Sequence, residues 1–314
     1  MAAVRIDLHV HSSASDGTDP PAEVVRRAAR AGLDVVALTD HDTQAGIAEA
    51  RNALPPGLTL VPGMELSCSV SPEGRPPGDP PAWGGCPPPH IPPAPARSVH
   101  LLSYLFDPDD PALNAESELI RDDRTHRAKA MVGKLQELGA PVTWDQVTGI
   151  AGGAVVGRPH IARALAAAGV VETPADAFTR EWIGDGGRAY ASRYAPDPAR
   201  AIALVRAAGG VPVLAHPRSP GYQITDEVII GLAAAGLAGV EVWHPDHDLP
   251  ERIRLAALAS RLGLVATGGS DDHGSFNDSG LGSQTTPPEE YERLLSRAAG
   301  AHPVTGQPAP SEPR

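Results

Sequence analysis

The first strand pattern of the chain lies at residues 5–16 and reads RIDLHVHSSASD. Its apolar residues alternate with polar ones, so in an extended chain His9 and His11 project from the same face, two residues apart. Two imidazoles on one strand face, followed by the carboxylate of Asp16, suit a divalent metal ion. Since an isolated histidine pair is more often an ordinary surface feature, the interpretation depends on whether the rest of the chain supplies further ligands.

Helix and strand patterns alternate in the segment that follows. Helices are predicted at 21–31 and 44–54, and strands at 33–38 and 58–62. Asp19 is the predicted cap of the first helix, and Gly32 its stop. The two strands lead into TDHDT at 39–43 and GMELS at 63–67. This alternation predicts a parallel sheet whose carboxyl strand ends meet on one side, where the sites of such sheets and barrels lie.

Two segments interrupt the alternation. Residues 71–97 contain eleven prolines and predict a stiff, poorly ordered surface loop. After a strand at 99–106 that carries His100, residues 107–190 have mainly helical patterns. The longest of these, at 113–138, is rich in arginine and lysine. We expect a helical insertion here that could form a lid over the strand ends.

Strand and helix patterns resume in the second half of the chain. Strands are predicted at 211–215, 239–243 and 264–267, and helices at 198–208, 226–235, 249–262 and 288–299. His216 and the motif GSDDHG at 269–274 again follow strands. The predicted organisation is therefore a barrel whose first part is 1–106 and second part 191–299, an insertion at 107–190, and a disordered tail at 300–314.

Composition limits the classes of function. The formal net charge of −12 argues against a broad basic face for duplex nucleic acid, although carboxylates loaded with cations can still attract a phosphorylated ligand. Neither a membrane-spanning apolar run nor a signal-peptide pattern is seen, so we expect a cytoplasmic protein without a membrane or protein partner. The two cysteines, Cys68 and Cys86, are expected to be reduced thiols.

Nine imidazole or carboxylate groups fall at or beside predicted strand ends. They are His9, His11, Asp16, His41, Glu65, His100, His216, Asp271 and His273. Turns and caps explain individual members, because Asp16 precedes Gly17 and either Asp40 or Asp42 would cap a helix well. They do not explain the whole set. Nine converging groups would repel and desolvate one another without cations, so we predict two or three divalent ions.

The ordered motifs resemble the PHP (polymerase and histidinol phosphatase) family. They are DLHVHSSASDG, LTDHDT, PGMELS, VHLLSY, GRPHIARAL, LAHP, EVWHPDH and GSDDHG. Within the family, the chain is most similar to stand-alone phosphoesterases such as nucleoside 3′,5′-bisphosphate phosphatases and a 5′-to-3′ RNA exonuclease. The resemblance implies an α/β fold, a distorted TIM-like (β/α)7 barrel, with a trinuclear site of Mn, Fe or Zn.

The resemblance also implies an assignment of the ligands, with Mn as the expected metal. His9, His11, Glu65 and Asp271 would hold the first ion, Asp16, His41 and His273 the second, and Glu65, His100 and His216 the third. Such ions lower the pKa of a bridging water and bind phosphoryl oxygens, which predicts hydrolysis of a phosphate monoester by metal-bound hydroxide.

Four further residues are predicted to contact substrate. Arg158 and His160 flank the N-terminus of a helix at 157–165, where backbone N–H groups favour an anion. With the resemblance, we expect them to bind a phosphate away from the scissile bond, with Arg218 as a second candidate. His247, like His244, follows a strand close to the expected site and has a supporting or substrate-contacting role.

The predicted substrate is the 3′-phosphate of a nucleoside 3′,5′-bisphosphate, together with the 5′ end of short RNA. A 5′-mononucleotide and histidinol phosphate stay open as alternatives. A different metallohydrolase, such as an amidohydrolase, is also open, although no carboxylated-lysine candidate follows a strand. A noncatalytic nucleotide sensor is the remaining alternative.

Overall fold

The computed structural model describes residues 4–70, 97–192, 194–220, 223–276 and 280–308. Of the proline-rich segment predicted as a loop at 71–97, only Arg97 is among the described residues. The prediction for 71–96 therefore lies outside them. No helix in the described ranges combines the length and the apolar character needed to cross a membrane.

The described strands form one sheet, ordered β1 to β7, with β8 paired to β3. The strands are β1 Ile6–Asp7, β2 Val35–Leu38, β3 Thr59–Val70, β4 Arg97–Tyr104, β5 Val211–Leu214, β6 Gly239–Trp243, β7 Val265–Gly268 and β8 Val304–Thr305. The helices are α1 Pro21–Arg30, α2 Ile47–Asn52, α3 Pro111–Glu137, α4 Trp144–Ala151, α5 Arg158–Ala167, α6 Pro198–Ala207, α7 Asp226–Ala234, α8 Leu249–Leu262 and α9 Pro288–Leu295.

The sheet curls into a nearly closed barrel. Val10 forms a parallel bridge with Asp272, and the Leu8 amide donates to the carbonyl of Gly268 at 3.2 Å, which brings the two edges together. Ile6, Leu8, Tyr104 and Val213 are fully buried within the barrel core. The Tyr104 hydroxyl donates to the Leu8 carbonyl at 2.7 Å. The predicted α/β barrel is confirmed.

The prediction of parallel strands throughout was wrong for β4. This strand runs antiparallel to both β3 and β5, whereas β1–β3 and β5–β7 pair in parallel. His100 therefore lies near the start of its strand, opposite Ser67, and not at a carboxyl end. Because β4 begins where β3 ends, His100 still reaches the same mouth of the barrel.

The length of β3 also differs from the prediction. The GMELS motif was expected to follow the strand, but it lies inside it, because residues 63–70 pair along their whole length with β4. Glu65 thus projects from a hydrogen-bonded strand and not from a loop. A side chain on such a strand is held more rigidly than one on a loop.

Order at the C-terminus is a further difference. The tail was predicted to be disordered from residue 300, yet Val304 and Thr305 form β8 against β3. The Ala301 amide donates to the Leu105 carbonyl at 2.7 Å, and Gly306 bridges to Pro56. Residues 309–314 of the predicted tail lie outside the described residues.

The predicted cap of α1 was also wrong, and the capping role considered for Asp40 or Asp42 is not found. α1 begins after Pro20 with no side-chain cap, and Asp19 instead forms an ion pair with Arg27. α2 begins after Gly46, so neither Asp40 nor Asp42 caps it. Both carboxylates are buried beside the barrel mouth. The predicted stop at Gly32 agrees with its left-handed φ of 72°.

Helices α4 and α5 and the second half of α3 have a core of their own. Apolar side chains of α3, α4 and α5 pack together, among them Met131, Leu135, Val147, Ile161 and Leu165. A second cluster joins the barrel strands to α6, α7 and α8. The division of the chain at 107 and 190 stays a prediction, because Leu113 and Ile120 of α3 pack in the barrel cluster.

The N-cap of α3 allows a stability test. Asp110 accepts hydrogen bonds from the amides of Ala112 at 3.1 Å and Leu113 at 2.8 Å. We expect Asp110→Ala to cost about 1 kcal/mol and to lower the Tm by roughly 1–2 °C in a calorimetric scan. Asp109→Ala removes the same charge one residue earlier without removing the cap. An equal shift in the two variants would attribute the effect to charge alone.

Candidate active site

Glu65 lies at the centre of the barrel mouth, and its carboxylate contacts five imidazoles. Oε2 is 3.3 Å from His9 Nε2, 3.1 Å from His11 Nε2 and 3.2 Å from His41 Nδ1; Oε1 is 2.7 Å from His100 Nδ1 and 2.9 Å from His216 Nε2. Glu65 and His100 lie on β3 and β4, and the other four histidines follow β1, β2 and β5. Together with Asp16, Asp271 and His273, these six residues form one contiguous cluster. The structure therefore brings all nine predicted ligands together.

Three groups within this cluster have spacings that could hold a metal ion. They are His9, His11, Glu65 and Asp271; His11, Asp16, His41 and His273; and His41, Glu65 and His100. In each group the candidate ligand atoms lie within 4.8 Å of one another. The first group coincides with the predicted first set. The second group contains the predicted second set and adds His11. The third group contains His41 in place of the predicted His216, which contacts Glu65 of that group.

The donor set fits divalent cations. His9 Nε2 and His11 Nε2 are 3.2 Å apart in a buried site, and each is 3.2 Å from Asp271 Oδ1. His11 Nδ1 is buried without a hydrogen-bond partner. Two imidazole lone pairs and two carboxylates at this spacing favour a shared cation. The chemistry of these residues thus supports a metal centre.

The electrostatics of the cluster point the same way. Burial opposes ionisation of Glu65, but the imidazoles of His41 and His100 hold its pKa well below its usual range. Burial lowers the pKa of His41 to about 3. Burial also disfavours the charged form of His11, yet hydrogen bonds with Asp271 and Glu65 raise its pKa to about 10. Neighbouring imidazoles cannot all be protonated, so bound cations are the better counter-charge for these carboxylates.

Backbone geometry aims several of these side chains. His216 and Asp271 have left-handed φ values of 24° and 51°, which residues other than glycine rarely adopt. Such backbone strain is typical of functional sites. Gly269 is required by a close approach, because a Cβ at that position would lie 2.3 Å from the Cβ of His9. The GSDDHG segment can therefore pack directly against the first strand.

A cavity of about 160 Å³ opens beside the cluster. Asp16, His41 and His100 line it on the barrel side. On the side of the helical segment, its wall carries three arginines, Arg124, Arg127 and Arg158. The same segment adds a wall of apolar side chains: Met131, Val156, Pro159, Ile161 and Phe178. A negatively charged ligand with an apolar part would be complementary to this cavity.

The comparisons with known proteins agree with this site. The model of the PHP domain matches residues 7–106. A 3′,5′-nucleoside bisphosphate phosphatase of Chromobacterium violaceum is 33% identical over 273 residues, which cover 86% of this chain and 87% of that protein. The chain belongs to the PHP family. It is a metal-dependent phosphoesterase, as predicted.

Two other PHP relatives extend the likeness. A 5′-3′ exoribonuclease of Haemophilus influenzae is 33% identical over 274 residues, covering 86% of this chain and 90% of that protein. A solved structure from Bifidobacterium adolescentis, provisionally described as a metal-dependent phosphoesterase, is 35% identical with a TM-score of 0.80. It covers 95% of this chain and 98% of its own. The predicted class, phosphoric ester hydrolase, is confirmed.

Of the predicted substrate-binding residues, Arg158 lies at the cavity of this PHP protein, and His160 lies behind it on the same helix. Arg158 lines it, with Nη1 2.6 Å from Asp185 Oδ1. His160 is buried, and burial lowers its pKa to about 4. Its neutral Nδ1 accepts a hydrogen bond from the Gly157 amide at 2.9 Å, so this nitrogen caps α5. His160 therefore shapes the segment that carries Arg158.

Arg218 and His247 are engaged elsewhere. Arg218 is ion-paired with Asp226 and, at 3.2 Å, with Glu251. His247 Nδ1 contacts the Val242 carbonyl at 3.0 Å, and Nε2 accepts from the Arg218 amide at 3.2 Å. Their contacts join the loop after β5 to the loop after β6, so both side chains are engaged within the protein. His244 is closer to the metal ligands, with Nε2 3.4 Å from Asp271 Oδ2.

Sequence reasoning missed Glu241, which supports two of the ligands. Its Oε1 is 3.1 Å from His9 Nδ1, and its Oε2 accepts from the His216 amide at 2.8 Å. Glu241 is fully buried on β6. A carboxylate on the opposite nitrogen of a metal-binding imidazole fixes the ring and its tautomer. The acidic residue within the apolar strand GVEVW was the available signal.

Asp42 and Arg124 form a second network that the sequence did not reveal. Asp42 is buried with a φ of 55°, and its carboxylate accepts from the Ser67 amide at 2.6 Å. Arg124 Nε is 2.7 Å from Asp42 Oδ2, and its Nη2 donates to Ser67 Oγ at 2.6 Å. Arg121 donates to the Asp42 carbonyl at 2.7 Å. α3 is thereby tied to the loop that carries His41.

This network predicts an effect on substrate affinity. We expect Asp42→Asn to raise the KM for a phosphorylated substrate roughly 10- to 100-fold, because a charge-assisted bond that fixes Arg124 is lost. The kcat should change much less, since no metal ligand is altered. Steady-state kinetics of Asp42→Asn and of a control variant, Asp123→Asn, would measure this. The Asp123 carboxylate accepts a hydrogen bond from the Tyr194 amide instead. A fall in kcat without a change in KM would contradict it.

Proposed function

We propose that the protein removes the 3′-phosphate from nucleoside 3′,5′-bisphosphates, and that it also acts on the 5′ ends of short RNA. The observation that carries this proposal is the cavity, in which three arginines adjoin the metal ligands. One phosphate can lie at the metal ligands while a second lies at the guanidinium groups. The names of the two relatives, a nucleoside bisphosphate phosphatase and an exoribonuclease, support this class of substrate.

Two or three divalent ions, with Mn as the proposed metal, would be held by the nine clustered ligands. Ions bound there supply Lewis acidity and neutralise charge on the phosphoryl oxygens. Glu65 bridges the ligand groups, while Glu241 orients His9. These residues keep the donor atoms in place, so little rearrangement is needed during the reaction.

The arginines bind and orient the part of the substrate that does not react. Arg124 forms an ion pair with Asp42 and donates a hydrogen bond to Ser67. It lines the cavity together with His41 and His100. Arg158 lies at the N-terminus of α5, where backbone amides also favour an anion. A guanidinium binds two phosphate oxygens at once, which fixes the angle of the group as well as its position. A cytoplasmic location suits such nucleotide substrates.

Phosphate release across a substrate panel tests this function. The panel is adenosine 3′,5′-bisphosphate, AMP, 3′-AMP, histidinol phosphate and a 5′-phosphorylated RNA trimer, each with Mn-loaded protein. We expect the highest kcat/KM with the bisphosphate, trimming of the trimer, and loss of both in Asp271→Ala. Equal or higher kcat/KM with histidinol phosphate, or with either mononucleotide, would overturn the proposed substrate. Absence of turnover despite bound metal would overturn the proposed activity.

A further inference from the structure

The cavity has an apolar wall that the metal site and the arginines do not explain. Phe178 is its exposed member, whereas Met131, Val156 and Ile161 line it from the buried core of the helical segment. The side chain of Phe178, one of the three phenylalanines of the chain, is 40% exposed. An exposed aromatic ring on a cavity wall is typical of a ligand-binding surface.

Local structure holds this ring in place. Phe178 ends a short 3-10 helix, Pro174–Ala177, and its amide donates to the Ala175 carbonyl at 3.1 Å. The guanidinium carbon of Arg158 lies 5.8 Å from the ring centroid, within the range of a cation–π contact. Asp185 fixes Arg158 in turn, with an N–O distance of 2.6 Å. The backbone hydrogen bond and the contact with Arg158 thus place the ring at the cavity wall.

We propose that Phe178 and the apolar wall form a base-binding subsite, in which the nucleobase of the substrate stacks on the Phe178 ring. This proposal rests on the proposed function and deepens it. The cavity is continuous with the opening over the metal ligands, so a substrate bound at the metal site can extend its base into the cavity. Four residues line both spaces: Asp16, His41, His100 and Pro159. A nucleotide joins an anionic part to a flat apolar part, which matches the arginines and the wall in turn.

Stacking of this kind predicts a particular specificity. Phe178 offers its ring to the face of the base, and the neighbouring side chains of Met131, Val156 and Ile161 are apolar, so the contact depends on the area of the base and not on its hydrogen-bonding pattern. Purine nucleotides should therefore bind more tightly than pyrimidine nucleotides. Adenine and guanine should differ little from each other. The 5′-terminal base of a short RNA would occupy the same subsite.

Calorimetric binding tests the subsite without requiring turnover. AMP, the product of the proposed reaction, is compared with ribose 5-phosphate, which carries the same phosphate and sugar without a base. With metal-loaded protein we expect AMP to bind on the order of tenfold more tightly. Phe178→Ala should remove most of this preference and leave the affinity for ribose 5-phosphate unchanged. Phe178→Tyr should retain it.

Two further variants separate stacking from other effects. Phe178→Leu keeps an apolar side chain without an aromatic face, so it should lose most of the preference for AMP. Ile253→Ala, at a residue that is 62% exposed on α8, should change neither affinity. Equal binding of the two ligands by the unchanged protein would overturn the proposal. So would a preference for AMP that survives in Phe178→Ala.

The same measurements distinguish this proposal from the function on which it rests. If AMP binds through Phe178 while the bisphosphate is not hydrolysed, the base subsite stands and the proposed reaction fails. If the bisphosphate is hydrolysed as fast as an abasic ribose 3,5-bisphosphate, at equal KM, the reaction stands and the subsite is refuted. Unchanged thermal unfolding of the Phe178 variants serves as the control for folding.

Discussion

Glu65→Gln is expected to lower the affinity for divalent metal roughly 10²- to 10³-fold, with a comparable or larger loss of phosphoester hydrolysis. The reason is that one carboxylate contacts five imidazoles and belongs to two of the three candidate metal groups. Removing one partner of a buried charge network costs about 3–5 kcal/mol. That range corresponds to the stated loss at about 1.4 kcal/mol for each factor of ten. Metal content by mass spectrometry and titration calorimetry would measure it.

A matched control is Glu116→Gln, which neutralises another buried carboxylate. Glu116 accepts from the Tyr194 hydroxyl at 2.6 Å and pairs with Arg200 at 2.8 Å, away from the cluster. We expect this variant to lose some stability and to keep its metal. Full metal content in Glu65→Gln would contradict the central position given to Glu65. Equal metal loss in both variants would attribute it to misfolding.

Removal of metal by a chelator is expected to lower the Tm by about 4 °C for each ion lost. An ion present at about 100 times its Kd stabilises the folded protein by about 2.7 kcal/mol. In a protein of 314 residues, 1 kcal/mol shifts the Tm by roughly 1.5 °C. The stabilisation arises because the clustered carboxylates and imidazoles lose the cations that offset their burial. Differential scanning calorimetry with and without EDTA would measure the shift.

Two controls sharpen this experiment. Restoring Mn in excess of the chelator should restore the Tm, which separates metal loss from a direct effect of EDTA. Asp271→Ala, which lacks a ligand of the first group, should respond less to chelation than the unchanged protein. An identical Tm with and without chelator would contradict a metal centre built from these nine residues.

Much of the barrel was predictable, because its signals are local. Strand β6, helix α8 and the start of α6 agree with the predicted bounds, since periodicity and caps within each segment decide them. The direction of β4 was not predictable in this way. It depends on pairing with β3 and β5, and the segment 71–96 before it has a composition that predicts only a loop. The strand formed by Val304 was missed for the same reason, because its partner lies far away in the chain.

The candidate metal ligands were predictable from local sequence, whereas the residues that line the cavity depend on contacts between distant segments. All nine candidate ligands follow or occupy predicted strands, and the chain that follows β1 brings His9 Nε2 and His11 Nε2 to 3.2 Å from each other. Arg218 could not be judged from its position after His216, because its partners Asp226 and Glu251 lie on two later helices. Arg124 was seen only as one charge on a basic helix, although its contacts with Asp42 and Ser67 place it at the cavity.

The sequence by itself determined the family, the chemistry of the ligand set and most of the local elements. These depend on residue types and spacings within short segments, which a single strand or helix already imposes. Only the tertiary structure decided which charged groups face the cavity and which are paired inside the protein. That outcome depends on contacts between segments far apart in the chain. The free energy of a buried charge depends on those contacts and not on its neighbours in sequence.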